Sequence, residues 1–372
     1  MKVLVAGDFY PRRRTRDLIK KKDFSFLDEV RCYTSAVSYS IVNFEGCVAD
    51  DGDRPIDKSG PCLKCDKKAI EAIQYAGFNG VTLANNHFYD YGDIGVDKTL
   101  KACKEYGLDY VGGGLSLKDA TQVLYKQIES ETLAIVNFCE NEFSIATANQ
   151  GGSAPLDLTN NYRVISEAKR KADFVLVIIH GGIEEYHYPT PRMKDTYRFF
   201  IEVGADAVVN HHQHCISGYE VYQEKPIFYG LGNFCFDWVT ANVRWWEEGY
   251  IVELCFDKQK TGYKIIPYIQ FAEEPKVSFD ISQEGFLSKI DAINKIIADD
   301  ELLIKELEKK SIQENKLLRF EPYNRRITQA LYRRHILPSF MNHEKLKNLL
   351  NMIRCESHYD MLLTTLRLKT NN

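Results

Sequence analysis

The chain has 372 residues, more than the roughly 250–300 that one hydrophobic core usually organises. Its 44% hydrophobic and 27% charged residues are typical of a globular protein and exclude a disordered, collagen-like or low-complexity chain. A formal net charge of -4 argues against a general electrostatic attraction to nucleic acid or to an anionic membrane. We therefore expect one large domain with an appended region, and no nucleic-acid partner.

The sequence also predicts a protein without a membrane span. The apolar run at 1–6 is followed at once by Gly7 and Asp8, which is unlike a signal peptide. The most apolar run, at 174–179, is far shorter than the roughly 20 residues that cross a bilayer. The ten cysteines lie mostly beside apolar neighbours, and the lone C-x-x-C at 62–65 favours incidental thiols over a metal or redox site. We expect reduced thiols and a cytoplasmic location.

Short runs rich in β-branched residues alternate with segments of helical spacing in the first two hundred residues. The predicted strands are 3–6, 39–42, 80–83, 132–136, 174–179 and 206–209. The predicted helices are 67–76, 94–106, 162–172 and 193–203. Gly77, Gly107 and Gly204 follow three of these helices, as expected at a helix C-terminus. This alternation predicts an α/β or layered α+β core.

The pattern changes twice towards the C-terminus. Strands without intervening helices are predicted at 218–222, 226–229, 249–256 and 263–271, which would form an antiparallel edge or a second sheet. Beyond residue 281 the spacing is helical. We therefore predict two units, a domain at 1–275 and a helical C-terminal region at 281–372.

The helical region is expected to be a docking or gating element and not a second catalytic domain. Its three histidines, His335, His343 and His358, have no acidic or cysteine partners clustered at ligand spacing. Its basic cluster favours a solvated helix face, with a surface for an anionic polymer or a partner as the alternative. The members of that cluster are Arg325, Arg326, Arg333 and Arg334.

Potential metal ligands follow five of the predicted strands. They are Asp8, Glu45, Asn86 with His87, His180, and the group His211, His212 and His214. Each alone has an ordinary explanation, such as a helix cap, a turn residue, a core histidine or a surface loop. Together they indicate one site, because ligands collect at the carboxyl ends of strands in layered α/β folds. Oxygen and imidazole ligands without cysteine suit one or two ions of Mn, Fe, Zn or Mg.

Six motifs in unbroken order resemble those of the CapA family, bacterial capsule (poly-γ-glutamate) synthesis proteins with the fold of calcineurin-like metallophosphoesterases. The resemblance covers about residues 1–272 and implies a four-layer αββα sandwich of the α+β class, followed by the helical region. The motifs are G-D-F-Y-P-R-R at 7–13, N-F-E-G at 43–46, L-A-N-N-H-F-Y-D-Y-G at 83–92, H-G-G-I-E-E-Y at 180–186, G-A-D-A-V-V-N-H-H-Q-H at 204–214 and K-P-I-F-Y-G-L-G-N-F-C-F-D at 225–237.

The same resemblance implies roles for individual residues. His87 would be a catalytic proton donor that Asp90 orients, while Arg13, Glu184 and Asn233 would line the substrate site. Tyr10 stands where phosphoesterases usually have a metal-binding histidine. The implied metal ligands are Asp8, Glu45 as a bridging carboxylate, Asn86, His180, His212 and His214, with His211 ranked below them.

The function expected from this reading is metal-dependent hydrolysis of a phosphoester, with His87 protonating the leaving oxygen. The resemblance connects it to the biosynthesis of a capsule or another polyanionic polymer, so an anionic substrate and capsule-synthesis partner proteins are implied. Two alternatives stay open at this point. The chain could be a weakly catalytic or non-catalytic metal-binding subunit of a polymer-synthesis complex, or it could hydrolyse or transfer γ-glutamyl amides at the same site.

Overall fold

The computed structural model describes residues 1–237, 244–314 and 342–370, together with 331, 334 and 336. Most of the C-terminal basic cluster, namely Arg325, Arg326 and Arg333, lies outside the described residues, as does His335. The structure is a mixed α and β protein with several sheets, which confirms the expected class in outline. Among the described residues, no helix combines the length and apolar character needed to span a bilayer.

The strands and helices follow the predicted alternation closely up to residue 211. The strands are β1 (Lys2–Phe9), β2 (Tyr39–Phe44), β3 (Cys47–Val48), β4 (Lys64–Cys65), β5 (Gly80–Thr82), β6 (Asp109–Val111), β7 (Gly113–Gly114), β8 (Leu124–Ile128), β9 (Glu131–Cys139), β10 (Gly152–Ser153), β11 (Phe174–His180), β12 (Ala207–His211), β13 (Tyr219–Tyr222), β14 (Lys225–Phe228), β15 (Asn233–Cys235), β16 (Glu248–Cys255), β17 (Gly262–Gln270) and β18 (Val277–Ser278). The helices are α1 (Arg14–Lys20), α2 (Arg31–Thr34), α3 (Lys68–Tyr75), α4 (Gly92–Glu105), α5 (Leu117–Ala120), α6 (Leu158–Lys171), α7 (Pro191–Val203), α8 (Arg244–Glu247), α9 (Gln283–Ala298), α10 (Asp300–Glu314), α11 (His343–Arg354) and α12 (Glu356–Thr370), with a 3-10 turn at Ser25–Val30.

Two large sheets carry the fold. The first has the order β18-β17-β16-β1-β2-β5-β6, with β15 also paired to β1, and the second has the order β13-β14-β12-β11-β9-β8. Strands β1, β2, β5 and β6 run parallel in the first sheet, as do β9, β11, β12 and β14 in the second. The carboxyl ends of each parallel set therefore meet at one edge.

The four predicted late strands do not form a single unit. The hairpin β13–β14 extends the second sheet beside β12, whereas β16 and β17 extend the first sheet beside β1. Antiparallel pairing was expected, but the division between two sheets was not. Sequence alternation sets which face of a strand is apolar and does not choose the neighbouring strand.

Strand β1 shows how the two sheets are packed. Val3 and Val5 join an apolar cluster that includes β9 and β11 of the other sheet, while Leu4 and Ala6 join a second cluster. The second cluster includes buried residues of α3 and α4. One face of the first sheet therefore packs on the second sheet, and its other face packs on helices.

Helix α9 belongs to the main core, although it lies beyond the predicted boundary at 275–281. Phe286, Ile290, Ile293 and Ile297 form its buried stripe and share the apolar cluster of the two sheets. A Ser282 side chain caps the helix by accepting from the Gly285 backbone N–H. The start of the helical region thus stabilises the sheets directly.

Substituting Ile290 by alanine tests this packing. We expect a loss of about 2–5 kcal/mol in the free energy of unfolding, because a fully buried side chain would leave a cavity between α9 and the sheets. Asp291→Ala on the exposed face of the same helix should change stability by less than about 0.5 kcal/mol. Denaturant unfolding measures the free energy of unfolding of both variants. If the free energy of the main unfolding transition were unchanged in Ile290→Ala, α9 would fold separately from the sheets.

Helix α12 is attached to the rest of the protein through a buried polar cluster. Glu140, just after β9, accepts from Arg192 Nη2 at 2.7 Å and from Ser357 Oγ at 2.8 Å. Arg192 Nε also donates to Asp360 at 2.8 Å. Burial raises the pKa of Glu140, but the Arg192 charge and the Ser357 hydrogen bond outweigh it, so the pKa is lowered and the carboxylate stays ionised. The cluster holds α12 against the segment that follows β9 and against the first turn of α7.

Candidate metal centre

The edges of both sheets deliver the predicted ligands to one buried place. Asp8 lies in β1, Glu45 directly follows β2, and His180 ends β11. Asn86 lies in the loop after β5, and His212 and His214 follow β12. All six side chains are buried, Asp8 with 1% of its surface exposed and Glu45 with none. The parallel topology brings together residues that are up to two hundred positions apart in the chain.

Asp8 is fixed by hydrogen bonds that leave it close to two histidines. Asn43 Nδ2 donates to its Oδ1 at 2.7 Å, and the backbone N–H of His212 donates to its Oδ2 at 3.3 Å. The ring Nδ1 of His214 lies 3.7 Å from Oδ2, and Nδ1 of His211 lies 3.7 Å from Oδ1. His214 Nδ1 also contacts Asn233 Oδ1 at 2.9 Å, so its Nε2, which lies 3.6 Å from Glu45 Oε1, is the nitrogen placed for a cation.

Glu45 is the strongest indication of a bound cation. Neither carboxylate oxygen has a hydrogen-bond partner among the described residues, and both are shielded from solvent. Burial raises its pKa well above the ordinary value, and the negative charges of Asp8, Glu184 and Asp90 raise it further. An unpaired buried carboxylate costs several kcal/mol or more, which a cation in contact with it removes.

Two of the histidine rings, those of His180 and His211, are buried in surroundings that favour their neutral form. His180 Nε2 lies 3.1 Å from Asn86 Oδ1 and 3.1 Å from His212 Nδ1. Burial lowers the pKa of His180 well below its ordinary value, and the neighbouring histidines His212 and His211 lower it further. Both ring nitrogens of buried His211 lack hydrogen-bond partners among the residues that the structure describes. Neutral imidazoles are the form that binds metal.

Two groups of ligand atoms lie close enough to hold an ion. Asp8, Glu45 and His214 form one, and Glu184, His212 and His214 form the other, with all ligand atoms of a group within 4.8 Å of one another. His214 is common to both. Glu184, expected to line the substrate site, is therefore placed beside the histidines, although its side chain is exposed to solvent. The set of oxygen and imidazole donors fits one or two divalent cations.

His87 and Asp90 form the expected pair beside these ligands. His87 Nδ1 lies 2.7 Å from Asp90 Oδ2, which leaves Nε2 directed towards Glu45 Oε1 at 4.0 Å. Lys58, which no sequence motif identifies as a site residue, forms a buried ion pair with Asp90 and lies 3.1 Å from His87 Nδ1. Burial and then the Lys58 charge lower the pKa of His87, and the opposing effect of Asp90 is smaller. A lower pKa makes the protonated ring a stronger acid, with a smaller protonated fraction at neutral pH.

The expected substrate-lining residues have different placements. Arg13 is exposed and has a positive φ of 51°, while the neighbouring Arg12 lines a cavity of about 230 Å³ together with Glu45 and His214. Asn233 lies behind the site, where its Oδ1 is 2.9 Å from His214 Nδ1 and its Nδ2 donates to the His214 carbonyl. Asn233 therefore orients a histidine, and Arg12 in place of Arg13 contributes a cation to the cavity wall.

Tyr10 is turned towards aromatic side chains. Its ring centroid lies 5.0 Å from that of Phe236, and Phe236 in turn is 5.1 Å from Trp246. The phenol is part of a small apolar cluster with Leu63. Burial raises the pKa of Tyr10, so it stays protonated and is a poor metal ligand.

Comparison with known proteins gives a consistent set of similarities. Residues 2–238 match the family model described as "Bacterial capsule synthesis protein PGA_cap". The "Capsule biosynthesis protein CapA" of Bacillus anthracis is 33% identical over 243 residues, which cover 63% of this chain and 59% of that protein. The "PGA biosynthesis protein CapA" of Bacillus subtilis (strain 168) is 34% identical over 267 residues, 70% of each.

A more distant relative carries a related description. The "Probable polyglutamine synthesis accessory protein Rv0574c" of Mycobacterium tuberculosis (strain ATCC 25618 / H37Rv) is 26% identical over 218 residues. The match covers 55% of this chain and 57% of that protein. The chain thus matches less than two thirds of the length of the Bacillus anthracis and Mycobacterium relatives.

Proposed function

The chain belongs to the family of bacterial capsule synthesis proteins described as PGA_cap, and from that premise we propose that it is a metal-dependent hydrolase of the phosphoesterase type. Its relatives are named for capsule and polyglutamate synthesis, so we place the reaction in the biosynthesis of a capsule or another polyanionic polymer. Other proteins of that synthesis are its proposed partners. We assign the two sheets and their flanking helices to the four-layer αββα sandwich of metallophosphoesterases.

The observation that carries the proposal is the buried Glu45 carboxylate without a hydrogen-bond partner among the described residues. Five further donors lie in the same site, and they supply oxygen and imidazole ligands. We assign Asp8, Glu45, Asn86, His180, His212 and His214 to one or two ions of Mn, Fe, Zn or Mg. A divalent cation held there polarises a phosphoryl oxygen and lowers the pKa of a nearby water.

The protein's own groups supply the remaining chemistry. His87 in its protonated form donates the Nε2 proton to the leaving oxygen, and Asp90 holds the ring through Nδ1. Lys58 neutralises Asp90 and so keeps the buried pair from carrying a net negative charge. Arg12 lines the cavity at the site and provides a positive charge for the anionic ester.

Tyr10 favours a second candidate, a metal-binding subunit with little activity of its own. Where phosphoesterases usually have a ligating histidine, this side chain packs against Phe236 and leaves one ion with fewer protein ligands. In that case the metal centre would serve binding within a polymer-synthesis complex.

Metal removal and restoration separate the two candidates. We expect purified protein to hydrolyse p-nitrophenyl phosphate, to lose at least roughly tenfold in rate after chelation, and to recover on addition of Mn²⁺ or Zn²⁺. The Glu45→Gln variant, assayed with the same additions, should not recover. Tight metal binding without turnover of any ester would support the metal-binding subunit. Turnover that is insensitive to chelation would contradict both candidate functions.

A further inference from the structure

Two cavities meet at the proposed catalytic residue His87. The first, which we call the aromatic cavity, has a volume of about 230 Å³ and is lined by Arg12, Phe236 and Trp246. The second, the helix cavity, has a volume of about 450 Å³ and reaches α11 and α12. Pro61, His87, Glu184 and Glu185 line both. A reacting group at His87 therefore has space for a substituent on either side.

The aromatic cavity suits an apolar or ring-bearing group. Its walls include Leu63, Trp245 and Trp246, and the Trp246 ring lies 5.1 Å from that of His214. Trp246 is fixed in place because its Nε1 donates to the Phe236 carbonyl at 2.8 Å. Rigid aromatic walls bind rings and alkyl groups with little loss of side-chain entropy.

The helix cavity is polar and has an acidic wall. Helices α11 and α12 contribute Asn348, Asn351, Met352 and His358. Asn351 Nδ2 donates to Glu142 Oε2 at 3.0 Å and lies 3.2 Å from His358 Nδ1. The C-terminal helices thus form part of the site wall, and their polar groups are held in a fixed arrangement.

The charges around the helix cavity disfavour a polyanion. Glu142, Glu184 and Glu185 line it, whereas Lys58 on the same wall is paired with Asp90 and the further lining residue Glu314 is paired with Lys310. Burial raises the pKa of Glu142, but the charge of His358 and the hydrogen bond from Asn351 outweigh it, so the pKa is lowered and the carboxylate is ionised. Repeated carboxylates of a polyglutamate chain would be repelled here.

We propose that the substrate is a phosphodiester, with a ring-bearing or apolar substituent in the aromatic cavity and an uncharged polar substituent in the helix cavity. The inference rests on the proposed function and narrows its substrate class. A monoester has one substituent and would leave one cavity to water. In the reaction a water oxygen bonds to phosphorus and the bond from phosphorus to the leaving oxygen breaks. His87 gives its proton to that oxygen and the water proton passes to solvent, so the products are a monoester and an alcohol.

Two esters with the same leaving group test the inference in the full metal-loaded chain. The p-nitrophenyl ester of thymidine 5′-phosphate should have a kcat/KM at least roughly tenfold above that of p-nitrophenyl phosphate, because its nitrophenyl ring takes the aromatic cavity and its uncharged polar nucleoside fills the helix cavity. A poly-γ-glutamate oligomer added to the assay should not inhibit. Preference for the monoester, or competitive inhibition by the oligomer, would overturn the inference, while turnover of neither ester would instead contradict the proposed function.

A matched pair of variants on α11 tests whether the second substituent of the diester lies in the helix cavity. Asn348→Trp narrows the helix cavity and should lower kcat/KM for the diester at least roughly tenfold more than for the monoester. Leu350→Trp, two positions away on an exposed part of the helix, should leave both values within roughly twofold. Equal losses in the two variants would contradict the placement. If Asn348→Trp does not fold, the ratio of kcat/KM for the two esters in the unsubstituted protein still tests the inference.

Discussion

Replacing His212 and His214 together by alanine is expected to abolish metal binding and with it all ester hydrolysis. His214 belongs to both groups of ligand atoms, and His212 belongs to one and also contacts His180. The double variant removes two imidazoles and leaves Glu45 without a cation to offset its burial. We expect metal content by elemental analysis to fall from one or two ions per chain to none.

Two single variants serve as controls for the double variant. His211→Ala should weaken metal binding less, because His211 is 3.7 Å from Asp8 and lies outside both groups of ligand atoms. His187→Ala removes a histidine whose Nδ1 is 2.7 Å from the Ile216 carbonyl, and it should keep the full metal content. Full occupancy in the double variant would mean that the metal is bound elsewhere.

Substituting His87 by alanine should lower the rate by roughly 10²–10⁴-fold for esters with poor leaving groups, with unchanged metal content. The proton that His87 donates matters most when the departing oxygen is strongly basic. An activated aryl phosphate has a weakly basic leaving group and should lose much less. Asp90→Asn should give a milder form of the same defect, since the ring stays in place while its partner loses its charge.

Stability has to be measured alongside these rates. Asp90 also accepts from the Leu63 backbone N–H at 2.6 Å and pairs with Lys58, so the asparagine variant leaves a buried lysine without its counter-charge. Rates compared well below each variant's melting temperature separate catalysis from folding. Equal rate losses on good and poor leaving groups in His87→Ala would refute the proton-donor role.

The convergence of the ligands could be predicted because it depends on strand ends. Asp8, Glu45 and His180 each lie at or just after the end of a short β-branched run, and parallel strands bring such ends to one edge. The family resemblance is confirmed by the match over residues 2–238, while the metal-ligand set that it implies stays a prediction. The predicted alternation of strands and helices is likewise confirmed up to residue 211.

Other parts of the site could not be predicted because they depend on contacts between distant segments. Lys58 lies in a segment without regular structure and reaches Asp90 only in the folded chain. His358 gains its place by the Glu140 and Arg192 contacts of α12, and Asn351 by its hydrogen bond to Glu142, none of which periodicity encodes. The choice of Arg12 over Arg13 at the cavity depends on the backbone turn at φ 51°, which local sequence leaves undetermined.

Anomalous X-ray scattering from crystals grown with Mn²⁺ would locate the proposed metal ions directly. We expect one or two manganese peaks at about 2.0–2.6 Å from ligand atoms of Glu45, His212 and His214. Data collected above and below the manganese absorption edge distinguish the ion from water. No peak at saturating Mn²⁺, or a peak bound only by residues outside this set, would contradict the assignment of the site.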